Sequence, residues 1–181
     1  IINGMYLLDE DKRQSGLHVQ LLGSGTILLE VQEAAKILRE EFGVGADVWS
    51  VTSFNELRRN GLEVERWNRL HPRDTARLSH VEECLKGRQG PVVASTDYMK
   101  LFADQVRQWV PQNTYTVLGT DGFGRSDTRK KLRDFFEVDR YWVTIAALEA
   151  LVKEGQLDVQ VVIDAMAKFG IDANKPIPLD C

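Results

Sequence analysis

Four short apolar runs set the architecture of this chain: Val19–Leu22, Asp47–Val51, Val92–Ser95 and Tyr115–Leu118. Each is too short for a buried helix. Each is followed by a segment whose apolar residues recur at helical spacing. Neighbouring parallel strands need a crossover of about a dozen residues or more, normally a helix. Strands and helices that alternate in this way fold as a mainly parallel sheet with helices on both faces. An α/β domain of three layers is therefore expected, with about five strands and one of them antiparallel at an edge.

The first 16 residues read as an entry segment, with a short strand at Met5–Leu8 and a polar turn from Asp9 to Ser15. The strand at Val19–Leu22 ends on Gly23-Ser24-Gly25. A helix over 27–41 follows, with Ile27, Leu28, Val31, Ala34, Ala35 and Leu38 on one face and Gly43 as its stop. Ser53 and Glu56 match a capping box, for a helix running to about Asn60–Gly61. Residues 62–75 read as an irregular crossing and 75–85 as another helix. Asp97 is placed as the cap of a helix burying Met99, Phe102, Ala103, Val106 and Trp109, closed by Pro111. Ser126 or Asp127 caps a basic helix ending near Phe136. Asp139 and Asp158 cap two final helices separated by Gly155, Gly170 stops the last, and 171–181 is a proline-containing tail. With 181 residues, one domain is the default. A chain of this length buries roughly 70% of its unfolded surface, so its core needs no disulfide or metal.

Several motifs imitate known chemistry. Gly119-Thr-Asp-Gly-Phe-Gly-Arg-Ser126 follows a strand and opens a helix, and departs from the phosphate loop G-x-x-x-x-G-K-[ST] at one position. There Arg125 replaces the lysine that reaches the phosphates, and a planar fork does not substitute for a compact point charge. Asp121 inside the loop would repel a triphosphate. Gly23-Ser24-Gly25 lacks the third glycine of a dinucleotide fingerprint, because Leu28 stands there. It retains only a helix N-terminus on which Ser24 could meet an anion. His80 and Cys84 are spaced i, i+4, but no further ligands accompany them, so no metal site is expected. His18 and His71 read as non-ligating. Asp97, Asp121 and Arg125 all fall just past strands, at the edge where open α/β sheets meet ligands or neighbouring domains. Together with Ser24 they are the candidate domain-interface or anion contacts. No catalytic, cofactor-binding or metal-binding residue is assigned.

The formal charge of −4 disfavours nucleic acid and anionic membrane, which net-negative surfaces do not attract. The basic run Arg129, Lys130, Lys131, Arg133 does not reverse that balance. Cys84 and Cys181 lie far apart, which fits a reducing bacterial cytoplasm. The sequence holds no signal peptide and no apolar run of about 20 residues. It opens on Ile1-Ile2, which reads as a piece of a longer chain.

Leu21-Leu-Gly-Ser-Gly-Thr26 with its alanine-rich helix, Val48-Trp-Ser-Val-Thr-Ser-Phe54, and Gly119–Ser126 followed by Leu132 and Phe135-Phe136 resemble the transketolase C-terminal domain. Val51–Leu57, Glu65–Pro72, Ala94–Phe102 and Val117–Asp127 narrow the resemblance to the homodimeric-type pyruvate dehydrogenase decarboxylating component, over essentially the whole chain. The resemblance implies a parent that decarboxylates pyruvate on thiamine diphosphate with Mg2+ and reductively acetylates the lipoyl groups of dihydrolipoyl acetyltransferase. It implies that this chain is the last of three domains and supports a homodimer. The Gly-Asp-Gly cofactor motif and the activating glutamate belong to the other domains. The nearest string here is Thr120-Asp-Gly122, so the chain alone is expected to bind no cofactor and to be inactive. Two rivals stand beside this reading. One is the C-terminal domain of another transketolase-superfamily enzyme. The other is a free-standing nucleotide or anion binder using Gly119–Ser126.

Overall fold

A computed structural model describes residues 2–13 and 16–180. Its sheet has five strands: β1 (Met5–Asp9), β2 (His18–Ser24), β3 (Gly45–Val51), β4 (Val92–Ser95) and β5 (Tyr115–Leu118), in the order β1-β3-β2-β4-β5. Strands β3, β2, β4 and β5 are parallel, and β1 runs antiparallel along β3 at one edge. This is the α/β sheet expected from the alternation. Gln14, Ser15 and Cys181, part of the expected turn and the end of the tail, lie outside the described residues.

Alternating strand residues feed two separate cores, because successive side chains point to opposite faces of a sheet. Val19, Leu21, Ala46, Val48 and Val93 pack under α1 (Leu28–Glu41), α6 (Arg140–Lys153) and α7 (Val159–Phe169). Leu22, Trp49, Val51, Val92 and Ala94 pack under α2 (Phe54–Leu70), α3 (His80–Leu85) and α4 (Lys100–Asp104). The short α5 (Arg129–Phe135) sits past the end of β5. Asp139 caps α6 by accepting from the Tyr141 and Trp142 N–H groups, and Asp158 caps α7 through Gln160. Gly170 closes α7 in the left-handed conformation, as expected.

Four local readings are corrected. The first concerns α2, which does not stop at Gly61 but runs to Leu70. Gly61 is there for close approach: the Trp109 ring packs against it where a side chain would stand. Trp109 then donates to Glu65 at 2.9 Å, in the stretch read as irregular. The second is the helix expected over 75–85, which begins only at His80. Asn68 bonds both the N–H and the C=O of Arg77, holding the preceding segment extended. The full capping box is Ser79–Glu82. At Ser53 only half of one forms, because the Glu56 carboxylate pairs with Arg59. The third is the helix after β4, which is a single turn, so Met99 and Phe102 are exposed while Ala103, Val106 and Trp109 are buried. The fourth is the cap of α5. It is Thr128, not Ser126 or Asp127.

Candidate functional site

The chain passes from β2 to β3 on one side, then crosses back over β2 to reach β4 on the other. The carboxyl ends of β2 and β4 thus form the switch point where open α/β sheets have their crevice. Ser24 ends β2 there and Thr96 follows β4. The Ser24 hydroxyl donates to Thr96 Oγ1 at 2.8 Å, and both residues are buried. One step outward, Thr26 Oγ1 donates to Asp97 Oδ2 at 3.2 Å. Asp97 is therefore not the cap of α4. Its carboxylate lies across the Gly23–Thr26 turn, so close that a Cβ on Gly25 (φ +56°) would come within 2.6 Å of Oδ1. A carboxylate in that position opposes anion capture by the Ser24 turn.

Asp121 takes the role expected of Asp97. It accepts from the Lys100 N–H at 2.9 Å and so caps α4 from the neighbouring loop. Thr120 ties the same two loops together. Its N–H donates to Tyr98 O at 2.9 Å and its hydroxyl to Asp97 O at 2.7 Å. Arg125 lies over the Phe135 ring, 4.8 Å from its centroid. The candidates Ser24, Asp97, Asp121 and Arg125 thus share one sheet edge, but each turns to its own partner.

The Gly119–Ser126 loop lacks the geometry of a phosphate loop. A helix should begin directly after it, yet α5 starts three residues beyond Ser126, and Asp121 is engaged with Lys100. Beside the loop lies a cleft of about 350 Å³ whose lining includes Thr26, Asp97 and Thr120 with Arg125, Arg129 and Arg133. On the far side of Asp97, Tyr98, Met99, Leu101 and Phe102 form an exposed apolar stretch.

Two buried charged groups escaped the sequence reading. Glu30, on the inner face of α1, receives Arg133 Nη1 at 2.6 Å, Arg140 Nε at 2.9 Å and the Arg140 N–H at 3.1 Å. Burial raises its pKa, but the hydrogen bonds and charges of Arg140 and Arg133 outweigh this and leave it below the usual glutamate value. A carboxylate three residues after Ile27, on an otherwise apolar stripe, was the available signal. At the opposite end of the sheet, Asp47 accepts from Gln20 Nε2 at 3.0 Å and the Asp11 N–H at 2.9 Å, with His18 Nε2 at 3.3 Å. Burial again raises the pKa, and the bonds from His18, Gln20 and Asp11 bring it below the ordinary aspartate value. Its signal was a polar pair, Gln20 and Asp47, at facing positions of buried strands.

His80 Nε2 lies 3.0 Å from Met5 O and 3.5 Å from Cys84 Sγ, while His71 stacks on Trp67 elsewhere. Among the described residues no three His, Cys, Asp or Glu side chains converge as a metal site. Burial, with the Glu83 charge, pushes the Cys84 thiol up, away from a reactive thiolate. Among the described residues no helix is long and apolar enough to cross a membrane.

Fold, switch point and motifs define one class of protein, and comparison with known sequences agrees. Residues 4–139 match the transketolase-like TK C-terminal domain, and the chain belongs to that family. More particularly, it is 70% identical over its whole length to the pyruvate dehydrogenase E1 component of Pseudomonas aeruginosa. It is 56% identical over 98% of its length to the E1 component of Escherichia coli strain K12. The chain spans 20% of the length of each of these relatives, corresponding to their C-terminal part. Among solved structures, a split-gene transketolase described as an inactive β4 tetramer superposes with a TM-score of 0.55 at 17% identity, over 84% of this chain and 43% of that one. Transketolase from Campylobacter jejuni gives 0.51 at 23%, over 79% and 18%. These two establish the likeness of fold.

Proposed function

We propose that residues 1–181 form a single domain, the C-terminal assembly domain of a pyruvate dehydrogenase E1 component. The observation that carries this reading is the 70% identity across the full chain to a protein of that name. The parent would decarboxylate pyruvate with thiamine diphosphate and Mg2+, and transfer the acetyl group to the lipoyl arm of dihydrolipoyl acetyltransferase. It would do so as a homodimer in the bacterial cytoplasm. The residues of this chain do not fit the coenzyme themselves. Asp121 of Thr120-Asp-Gly122 is tied to the Lys100 N–H, and Asp97, beside the Ser24 turn, would repel a diphosphate. Chemistry is therefore assigned to the rest of the parent. The exposed stretch from Tyr98 to Phe102, continuous with the Asp97–Asp121 edge, is assigned to contact with another domain of that longer protein. Apolar side chains exposed together mark such contacts, and the other four-fifths of the relatives' length is available to cover them.

Carbon dioxide release from pyruvate, assayed with thiamine diphosphate and Mg2+, tests the first part. The parent turns over and this chain alone does not. Turnover by the chain alone would refute the assignment.

A further inference from the structure

We propose that the cleft beside α5 binds a small organic anion carrying an apolar group. The cleft encloses about 350 Å³, within the range of roughly 300–1,000 Å³ typical of small-molecule sites. Its inner surface is apolar: Ile27 and Val138 are almost fully buried behind it, and Leu132 and Phe136 line it from α5 and the turn after it. Its rim is cationic. Of the three arginines, Arg133 is neutralised by Glu30 at 2.6 Å. Arg125 rests on the Phe135 ring, and its guanidinium makes no hydrogen bond or ion pair among the described residues. The Arg129 side chain makes no hydrogen bond, ion pair or ring contact among the described residues. The lining therefore carries two guanidinium forks and one carboxylate, Asp97, which already accepts from Thr26.

That arrangement defines the ligand chemistry. A guanidinium presents paired donors that match the two oxygens of a carboxylate or phosphate monoester. Two such groups against one opposing carboxylate suit a mono- or dianion, not a polyphosphate, which Asp97 would repel. The apolar inner surface requires a hydrocarbon or aromatic body on the same molecule, since burying it supplies about 25 cal/mol per Å². The cleft lies on the α5 side of Asp97, and the apolar stretch from Tyr98 to Phe102 lies on the other side. The site therefore does not depend on the assembly role assigned to that stretch, nor on the identity of the parent.

Isothermal titration calorimetry on the full-length protein tests this, with phenyl phosphate and phenylacetate as probes and benzyl alcohol as their neutral counterpart. At least one of the anions should bind with Kd below about 1 mM, and the alcohol should not. Arg129→Gln should weaken binding about tenfold, by removing one charged fork. Asp97→Asn should tighten it by removing the opposing charge. The proposal is overturned if neither anion binds at about 10 mM, if the alcohol binds as tightly, or if Arg129→Gln leaves affinity within about twofold.

Discussion

The two ends of the sheet are built on opposite plans. At the amino end of the parallel strands, polar groups are buried and bonded to one another. Gln20 is fully buried, donates to Asp47 and Gln89 O, and accepts from Trp49 Nε1 at 2.8 Å. Arg88 reaches Asp47 at 3.5 Å, and Arg39 joins Asp9 to Asp11 around the rim. At the carboxyl end, a few hydrogen bonds, most of them to exposed groups, stitch loop to loop, a cleft stays open, and Tyr98, Met99 and Leu101 are more than half exposed. In a buried polar network each lost partner leaves a desolvated group behind, so its bonds are costly to remove. Exposed loops held by a few such bonds can face another surface at little cost to the fold. Stability is therefore concentrated at the amino end, and contact with other molecules is assigned to the carboxyl end.

The most direct way to break this comparison is Asp47→Ala. It would leave one Gln20 Nε2 hydrogen and the Asp11 N–H without their acceptor and take away the carboxylate beside His18, while Arg88 keeps Glu10 at 2.6 Å. Each buried group left without its partner costs about 1–3 kcal/mol, and several lose one together, so a loss of about 3 kcal/mol is expected. Urea unfolding should show a loss of that order, and a loss under about 1 kcal/mol would mean that the amino end is no stronger than an ordinary surface.

Glu30 sharpens the contrast, since it is a buried charge knot near the open end. Arg140 is one-third exposed, so Glu30→Gln is expected to cost less, about 2 kcal/mol. Its pH dependence follows from the direction of its shift. The folded-state pKa of Glu30 lies below the unfolded value. Its contribution is therefore complete above the ordinary glutamate pKa of about 4.3, and is lost as pH falls through the lower folded-state value. Urea midpoints of the wild type and of Glu30→Gln should differ at neutral pH and converge below about pH 4. A gap that persists unchanged in acid would show that the carboxylate's charge is not what holds α1 to α5 and α6.

The same contrast explains what could be read from the sequence. The sheet was legible because strand runs and helical periodicity are local patterns, and crossover rules leave few ways to join them. The caps at Asp139 and Asp158 were legible because each satisfies its own helix start. Asp97 was misread as a cap, and the capping role of Asp121 was missed, because the cap of α4 comes from a loop 21 residues further along the chain and no local pattern records that pairing. Gly61 imitated a helix stop because its real reason, the Trp109 ring, arrives from another element. Glu30, Gln20 and Asp47 each broke an apolar pattern at one position. Those breaks mark the buried polar groups, but their partners lie up to 110 residues away.

The smallest effect on the chain itself is expected where the largest effect on assembly is assigned. Leu101 is 67% exposed in α4 and belongs to neither hydrophobic core. Leu101→Glu removes no buried contact and should change the urea stability of this chain by less than about 0.5 kcal/mol. In the full-length protein the same substitution would place a charge in an apolar contact, where a desolvated carboxylate has no partner. Sedimentation should then show a weakened assembly and turnover should fall with it. Unchanged sedimentation and turnover in the parent, with stability also unchanged, would assign the stretch from Tyr98 to Phe102 to solvent. A large stability loss in the isolated chain would instead make Leu101 part of the fold, and the two ends of the sheet would no longer divide stability from contact.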